Sequence, residues 1–209
     1  MDLPIFREKF LNPTPIIESD HPQIKMQAQK LTSSRKSEQE KIKSIFYFIR
    51  DEIKYIFGVP PAESALKAST ILQAKKGFCI QKAILFCSLA RSCAIPCGIH
   101  FYDIIDHALS DYIADILKTK KLFRHGIPAV NFNRTWIQYD TTLDSKLVKR
   151  KKLRPVEFSP DKDCLMHSTT LEGNKHIEYI YDYGIASDVS FPQIRDWMQQ
   201  GYPHLFNNI

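Results

Sequence analysis

One cysteine in this chain stands where a nucleophile would be made. Cys79 follows Gly77 and Phe78 and opens an apolar run, Ile80, Ala83, Ile84, Phe86, Cys87, Leu89 and Ala90, that stops before Pro96. A thiol in the first turn of a buried helix faces free backbone N–H groups and the positive end of the helix dipole. Both favour the thiolate, and the same N–H groups can hold a developing oxyanion. A thiolate nucleophile needs a base, and the base needs a group to orient it. His125 and Asp140, fifteen positions apart, flank a hairpin pattern that would bring an imidazole and a carboxylate together at one end of a two-stranded ribbon.

The elements that must position these residues read as follows. Ser37 and Glu40 form a capping box ahead of Ile42, Ile45, Phe46, Ile49 and Ile53, so a helix is expected over 38–53. A helical turn is expected from Ala68, and Gly77 suits a turn with unusual backbone angles. The Cys79 helix is apolar nearly all round and should be buried. Residues 97–105 read as a strand and 108–120 as a helix. Residues 127–132 and 135–140 form a hairpin through Asn133-Arg134, with His125 at the start of its first strand. Residues 141–173 are loop-rich, 176–183 read as a strand or helical turn, and 192–200 as a final helix with Ile194 and Trp197 inward. Domain boundaries are expected at an N-terminal arm, 1–36, with a short helix over 24–31, and a main domain, 37–209, carrying an inserted helix about 107–120.

Composition bounds the classes. With 44% hydrophobic and 25% charged residues, disorder is excluded, and 7 Gly and 12 Pro exclude a glycine-rich repeat. No apolar stretch approaches the roughly 20 residues needed to span a bilayer. The start, MDLPIFREKF, lacks a basic region followed by an apolar one, so no signal peptide is expected. The 29 Lys and Arg exceed the 23 Asp and Glu by six, and six basic residues lie in 146–154, so the excess is one local patch. It reads as a solvated loop. A nucleic-acid partner is not expected, because such proteins spread basic residues over a face and interleave aromatics. The five cysteines include no C-x-x-C pair, which argues for reduced thiols, a cytoplasmic setting and no zinc site; Cys87, Cys93 and Cys164 read as inert.

Two stretches resemble the transglutaminase-like superfamily. Ser69-Thr70-Ile71-Leu72, Gly77-Phe78-Cys79-Ile80-Gln81-Lys82-Ala83 and Leu89-Ala90-Arg91-Ser92-Cys93-Ala94-Ile95-Pro96 look like its signature around the nucleophile. Asn133-Arg134-Thr135-Trp136-Ile137-Gln138-Tyr139-Asp140-Thr141-Thr142 resembles its turn, Trp and Asp-x-Thr closing strand. The resemblance covers about 37–145.

The resemblance implies an α+β, papain-like fold with the nucleophile helix packed on an antiparallel sheet. It also implies acyl transfer from a protein or peptide amide through a thioester, with no metal or other cofactor. Cys79 would be the nucleophile, His125 the base and then acid, and Asp140 the orienter. Gln81 and His107 stand as candidate substrate-binding residues. The chain departs from the family where His125-Gly126-Ile127 replaces the usual His-Ala-Trp, and where an extra helical stretch starts at His107-Ala108. His107 therefore competes for the histidine role, and His125 is preferred because the hairpin carries it toward Asp140. The alternatives are a cysteine peptidase or amidase, and a binding protein that has kept the fold.

Overall fold

The computed structural model describes residues 8–206; the opening of the expected arm, residues 1–7, lies outside them. Helix α1 (Pro22–Thr32) starts on the His21 cap with proline in its first turn. Helix α2 (Glu38–Tyr47) opens on the expected box: Ser37 Oγ accepts from Glu40 N, and Glu40 Oε2 accepts from Ser37 N. The expected single helix instead widens into a π turn, Phe48–Glu52, which sets Arg50 against Glu157 and the Val156 carbonyl. Strands β1 (Lys54–Tyr55) and β2 (Lys76–Gly77) pair in parallel on either side of a 3₁₀ turn, Glu63–Leu66, and helix α3 (Ala68–Ala74).

Helix α4 (Cys79–Ser92) is buried from Ile80 through Arg91 except at Gln81. It packs on an antiparallel sheet of four strands in the order β5-β4-β3-β6: β3 (Cys97–Asp106), β4 (Lys121–Phe132), β5 (Thr135–Gln138) and β6 (Ile177–Ala186). This is the expected α+β arrangement of a cysteine-bearing helix on an antiparallel sheet. Between β3 and β4 lies α5 (Asp111–Leu117), shorter than the expected 108–120 because Ser110 caps it and Lys118 ends it at φ 57°. Helix α6 (Ser145–Arg150) follows β5, and α7 (Phe191–Gly201) follows β6 on its own Ser190–Gln193 capping box.

Three local expectations are corrected. Gly77 is not in the left-handed region; Lys75 makes that turn at φ 52°. The demand on Gly77 is space, since a Cβ there would meet Gln81 Cβ at 2.9 Å. His125 does not open its strand, because β4 begins four residues earlier, at Lys121. The basic stretch is not a plain solvated loop: Asp144 Oδ1 accepts from Leu147 N and starts α6, Val148 is buried, and Lys151 is half-buried.

The sheet's regularity breaks beside His125. Tyr102 pairs with His125 and Ile104 with Leu122, so two residues of β4, Phe123 and Arg124, oppose Asp103 alone. Such a bulge bends a strand and re-aims the next side chain. Arg124 carries the distortion at φ 53°, with its N–H bonded to Asp103 Oδ1 at 3.0 Å and its guanidinium 3.2 Å from the Tyr183 ring centroid.

Candidate active site

Cys79 enters from the first turn of α4, whose preceding residue, Phe78, offers no side-chain cap. The helix can press so close to β4 because Gly126 lacks a Cβ. An added one would meet Phe101 Cε1 at 3.0 Å and Ile80 Cγ1 at 3.1 Å. That close approach is the physical reason for glycine after His125 in this chain.

His125 and Asp140 are a fully buried pair, with Nε2 and Oδ2 2.9 Å apart. The other ring nitrogen, Nδ1, has no hydrogen bond of ordinary geometry, and the Cys79 thiol is the further group acting on the ring. Burial works against the charged imidazole, but the Asp140 charge and hydrogen bond, with the thiol added, outweigh it and raise its pKa to about 10. Burial likewise opposes ionisation of Asp140, and the His125 charge with bonds from Thr142 overcomes that and lowers it. Asp140 Oδ1 accepts from Thr142 N at 3.0 Å, and Asp140 N donates to Cys164 O at 2.8 Å. The preceding residue, Tyr139, is fully buried between Phe86 and Phe158, both stacked on it. Asp140 is thus held through its own N–H and through its carboxylate.

Three contributors were not read from the sequence. Lys82, one turn after Cys79, is fully buried and donates to the carbonyls of Arg50, Ile53 and Thr142 at 3.3, 2.7 and 3.0 Å. Burial, partly offset by Asp144 and Asp140, lowers its pKa to about 7. A lysine among the apolar residues of a helix read as buried was the available signal, since a buried ammonium must find partners. Tyr55 sits beside the thiol; burial pushes its phenol well up, and the Cys79 charge adds to this. Tyr179 of β6 lies against Asp140, and burial followed by that charge raises it too.

The two weaker candidates are placed differently. Gln81 spends both ends of its amide on the scaffold: Oε1 accepts from Phe78 N at 3.1 Å and Nε2 donates to Ala65 O at 2.7 Å. His107 pairs through Nε2 with Glu178 at 3.0 Å, with about a third of its side chain exposed.

Two cavities meet at the imidazole. One, about 20 Å³, is lined by Cys79, His125, Arg124 and Phe78 and roofed by Trp197 and Met198 of α7. The other, about 280 Å³, includes His125 but not Cys79, and runs out between α5 and α6. Tyr55, Phe57, Leu122 and His125 wall both, and His107 lines neither. A larger cleft of about 770 Å³ between α1 and α2 does not reach the thiol. No helix among the described residues is long and apolar enough to cross a membrane.

The sequence profile of the transglutaminase-like superfamily matches residues 25–141. No curated protein matches. Among solved structures, a proposed cysteine protease from Cytophaga hutchinsonii superposes with a TM-score of 0.51 at 21% identity, over 68% of this chain and 43% of that one. A proposed protease from Parabacteroides distasonis gives 0.41 at 16% identity, over 64% of this chain and 25% of that one. The chain therefore spans less than half the length of either protein.

Proposed function

The chain belongs to the transglutaminase-like superfamily, and on that premise we propose that it is a cysteine-dependent enzyme that transfers the acyl group of a protein or peptide amide through a thioester. The observation that carries this reading is the buried His125–Asp140 pair set against the Cys79 thiol.

Cys79 attacks the amide carbon as the thiolate, and the oxyanion is received at the uncapped first turn of α4. His125, held in its charged form by Asp140, then gives its proton to the leaving nitrogen. The C–S bond forms as the oxyanion appears, and the C–N bond breaks as that oxyanion collapses and the protonated amine departs, leaving the thioester. In the second half, an incoming amine or water loses a proton to the same ring and displaces the sulfur. Asp140 orients the ring, and the Thr142 N–H fixes Asp140. No step calls on a metal or other cofactor.

Amine and water compete for the thioester, so transferase and peptidase or amidase share the first half-reaction. The apolar part of the 280 Å³ cleft on the His125 side, among Phe57, Leu109, Ile113 and Met166, gives the carbon chain of an amine a surface to pack on, which favours transfer. All five cysteines are free thiols, and a reducing cytoplasm is the setting that suits a thiol nucleophile.

The test is trapping. Parent protein incubated with a glutamine- and asparagine-containing peptide library and hydroxylamine should yield peptide hydroxamates, and Cys79→Ala should yield none. Mass spectrometry should find an acyl adduct on Cys79 when hydroxylamine is omitted. Hydroxamates formed equally by Cys79→Ala would remove the nucleophile assignment.

A further inference from the structure

The cleft on the His125 side holds features that the proposed chemistry does not explain. Its walls come largely from the stretch between β3 and β4 and from residues beyond the family match: Leu109 and Ile113 on one side, Leu143, Leu147 and Met166 on the other. Three charged groups also line it, Asp106, Arg150 and Lys151. Two of them answer each other. Lys151 donates to Ala108 O, and the Asp106 charge acts on its ammonium; Asp106 Oδ1 also accepts from Ala108 N at 2.9 Å. Arg150 is left over. Among the described residues no carboxylate lies within salt-bridge distance of it, and its charged neighbour is the like-signed Lys151.

Which part of a substrate enters here follows from the proton. His125 must protonate the departing nitrogen and deprotonate the arriving one, so the amine-bearing partner sits on the His125 side in both half-reactions. This cavity contains His125 without Cys79. Its 280 Å³ falls just below the roughly 300–1,000 Å³ of sites for drug-sized ligands, a volume suited to one or two residues.

We propose that this cleft binds the amine partner of the reaction, and that this partner carries an apolar side chain and a carboxylate, the carboxylate received by Arg150. The inference rests on the acyl-transfer reading above and names its amine-side substrate class. The side chain fills the space among Phe57, Leu109, Ile113 and Met166. The carboxylate meets a guanidinium with no carboxylate partner among the described residues, an arrangement that gives a charge-assisted, two-pronged contact without breaking an existing pair there. Two sources share this chemistry: the C-terminal carboxylate of an apolar residue, and an acidic side chain one residue further on.

The test uses peptides identical up to the scissile amide and ending in leucine acid, leucinamide, or Leu-Asp-amide. Full-length protein should turn over one of the two carboxylate forms with kcat/KM about tenfold above leucinamide, in line with a charged hydrogen bond; which form wins identifies the source. Arg150→Gln should bring the carboxylate-to-amide ratio within about twofold, chiefly through KM, and Arg150→Lys should restore part of it. Equal turnover of all three peptides, or equal loss on all three in Arg150→Gln, overturns the proposal. If no peptide is turned over by the parent, the acyl-transfer reading fails separately, and binding decides. Free leucine should then perturb the NMR signals of Met166 and Ile113 in Cys79→Ala protein more strongly than leucinamide does, and the Arg150→Gln change should remove the difference. No perturbation by leucine overturns the proposal.

Discussion

Two of the imidazole–carboxylate pairs on and beside this sheet have hydrogen bonds of nearly the same length. His125 and Asp140 are 2.9 Å apart, His107 and Glu178 3.0 Å. The first pair is sealed from solvent, has a thiol on its far side, and draws its aspartate from the segment after β5. The second lies at the edge of β6, shares its glutamate with Lys175 at 2.9 Å, and borders neither cavity. The lesson is that a short imidazole–carboxylate contact does not by itself make a base. Burial strengthens the coupling, and in the proposed reaction the thiol that acts on the His125 ring gives it a proton to move, which nothing among the described residues does for His107.

The comparison breaks most readily at the histidines. His125→Ala should lower amide turnover roughly 10³-fold or more, while His107→Ala should stay within about twofold, as measured by hydroxamate formation. Comparable losses in both would erase the distinction. Their carboxylates come next. Asp140→Asn should cost roughly 10²–10⁴-fold through a misoriented ring, whereas Glu178→Gln should leave the rate nearly unchanged.

A smaller effect concerns the thiols. Cys79 and Cys93 stand at opposite ends of α4 and are both partly exposed, but Cys93 faces the Thr32 hydroxyl at 3.6 Å where Cys79 faces the imidazole. Brief iodoacetamide treatment near pH 6, read by mass spectrometry, should label Cys79 well ahead of Cys93. Equal labelling would deny the imidazole any effect on the sulfur.

The smallest is a slope. The folded pKa of His125 is raised to about 10 from 6.5, so its contribution to stability is complete below about pH 6.5 and is lost as pH rises through 10. Lys82 works in reverse. Its folded pKa is lowered to about 7 from 10.5, so the fold gains from this group as pH rises between those values. Urea midpoints at pH 6, 8 and 10 should show Asp140→Asn most destabilised at pH 6 and closest to the parent at pH 10. Lys82→Met should lose stability more steeply than the parent above pH 7. Parallel curves would mean that neither group titrates as described.

The part of this site legible in the sequence was the part written in local pattern. The Cys79 helix shows as an apolar run stopped by Pro96, and the hairpin shows through Asn133-Arg134, although its second strand ends at Gln138 and Asp140 follows it instead of closing it. What was not legible depends on distant partners. The mixed residues Lys121 to Arg124 gave no alternation because a bulge interrupts it, so β4 was read as starting too late. The Glu178 partner of His107 comes from 71 positions away, and no local spacing points to it. Arg150 and Lys151 read as solvated because their side chains meet the cleft only after the stretch between β3 and β4 folds across from them.

Lys82 also bears on the order in which the chain can fold. Its carbonyl partners lie 29, 32 and 60 positions away, so none arrives with helix formation alone. Until they arrive, packing α4 down would strand an ammonium in an apolar interior, at a cost of several kcal/mol. The helix therefore cannot settle before the π turn and the segment after Asp140 are in place. Docking of the Cys79 turn and of the segment after Asp140 then becomes one event with a high loop-closure cost, late and cooperative. A chain that has made its helices but not this junction would hold every residue of the site and none of its geometry.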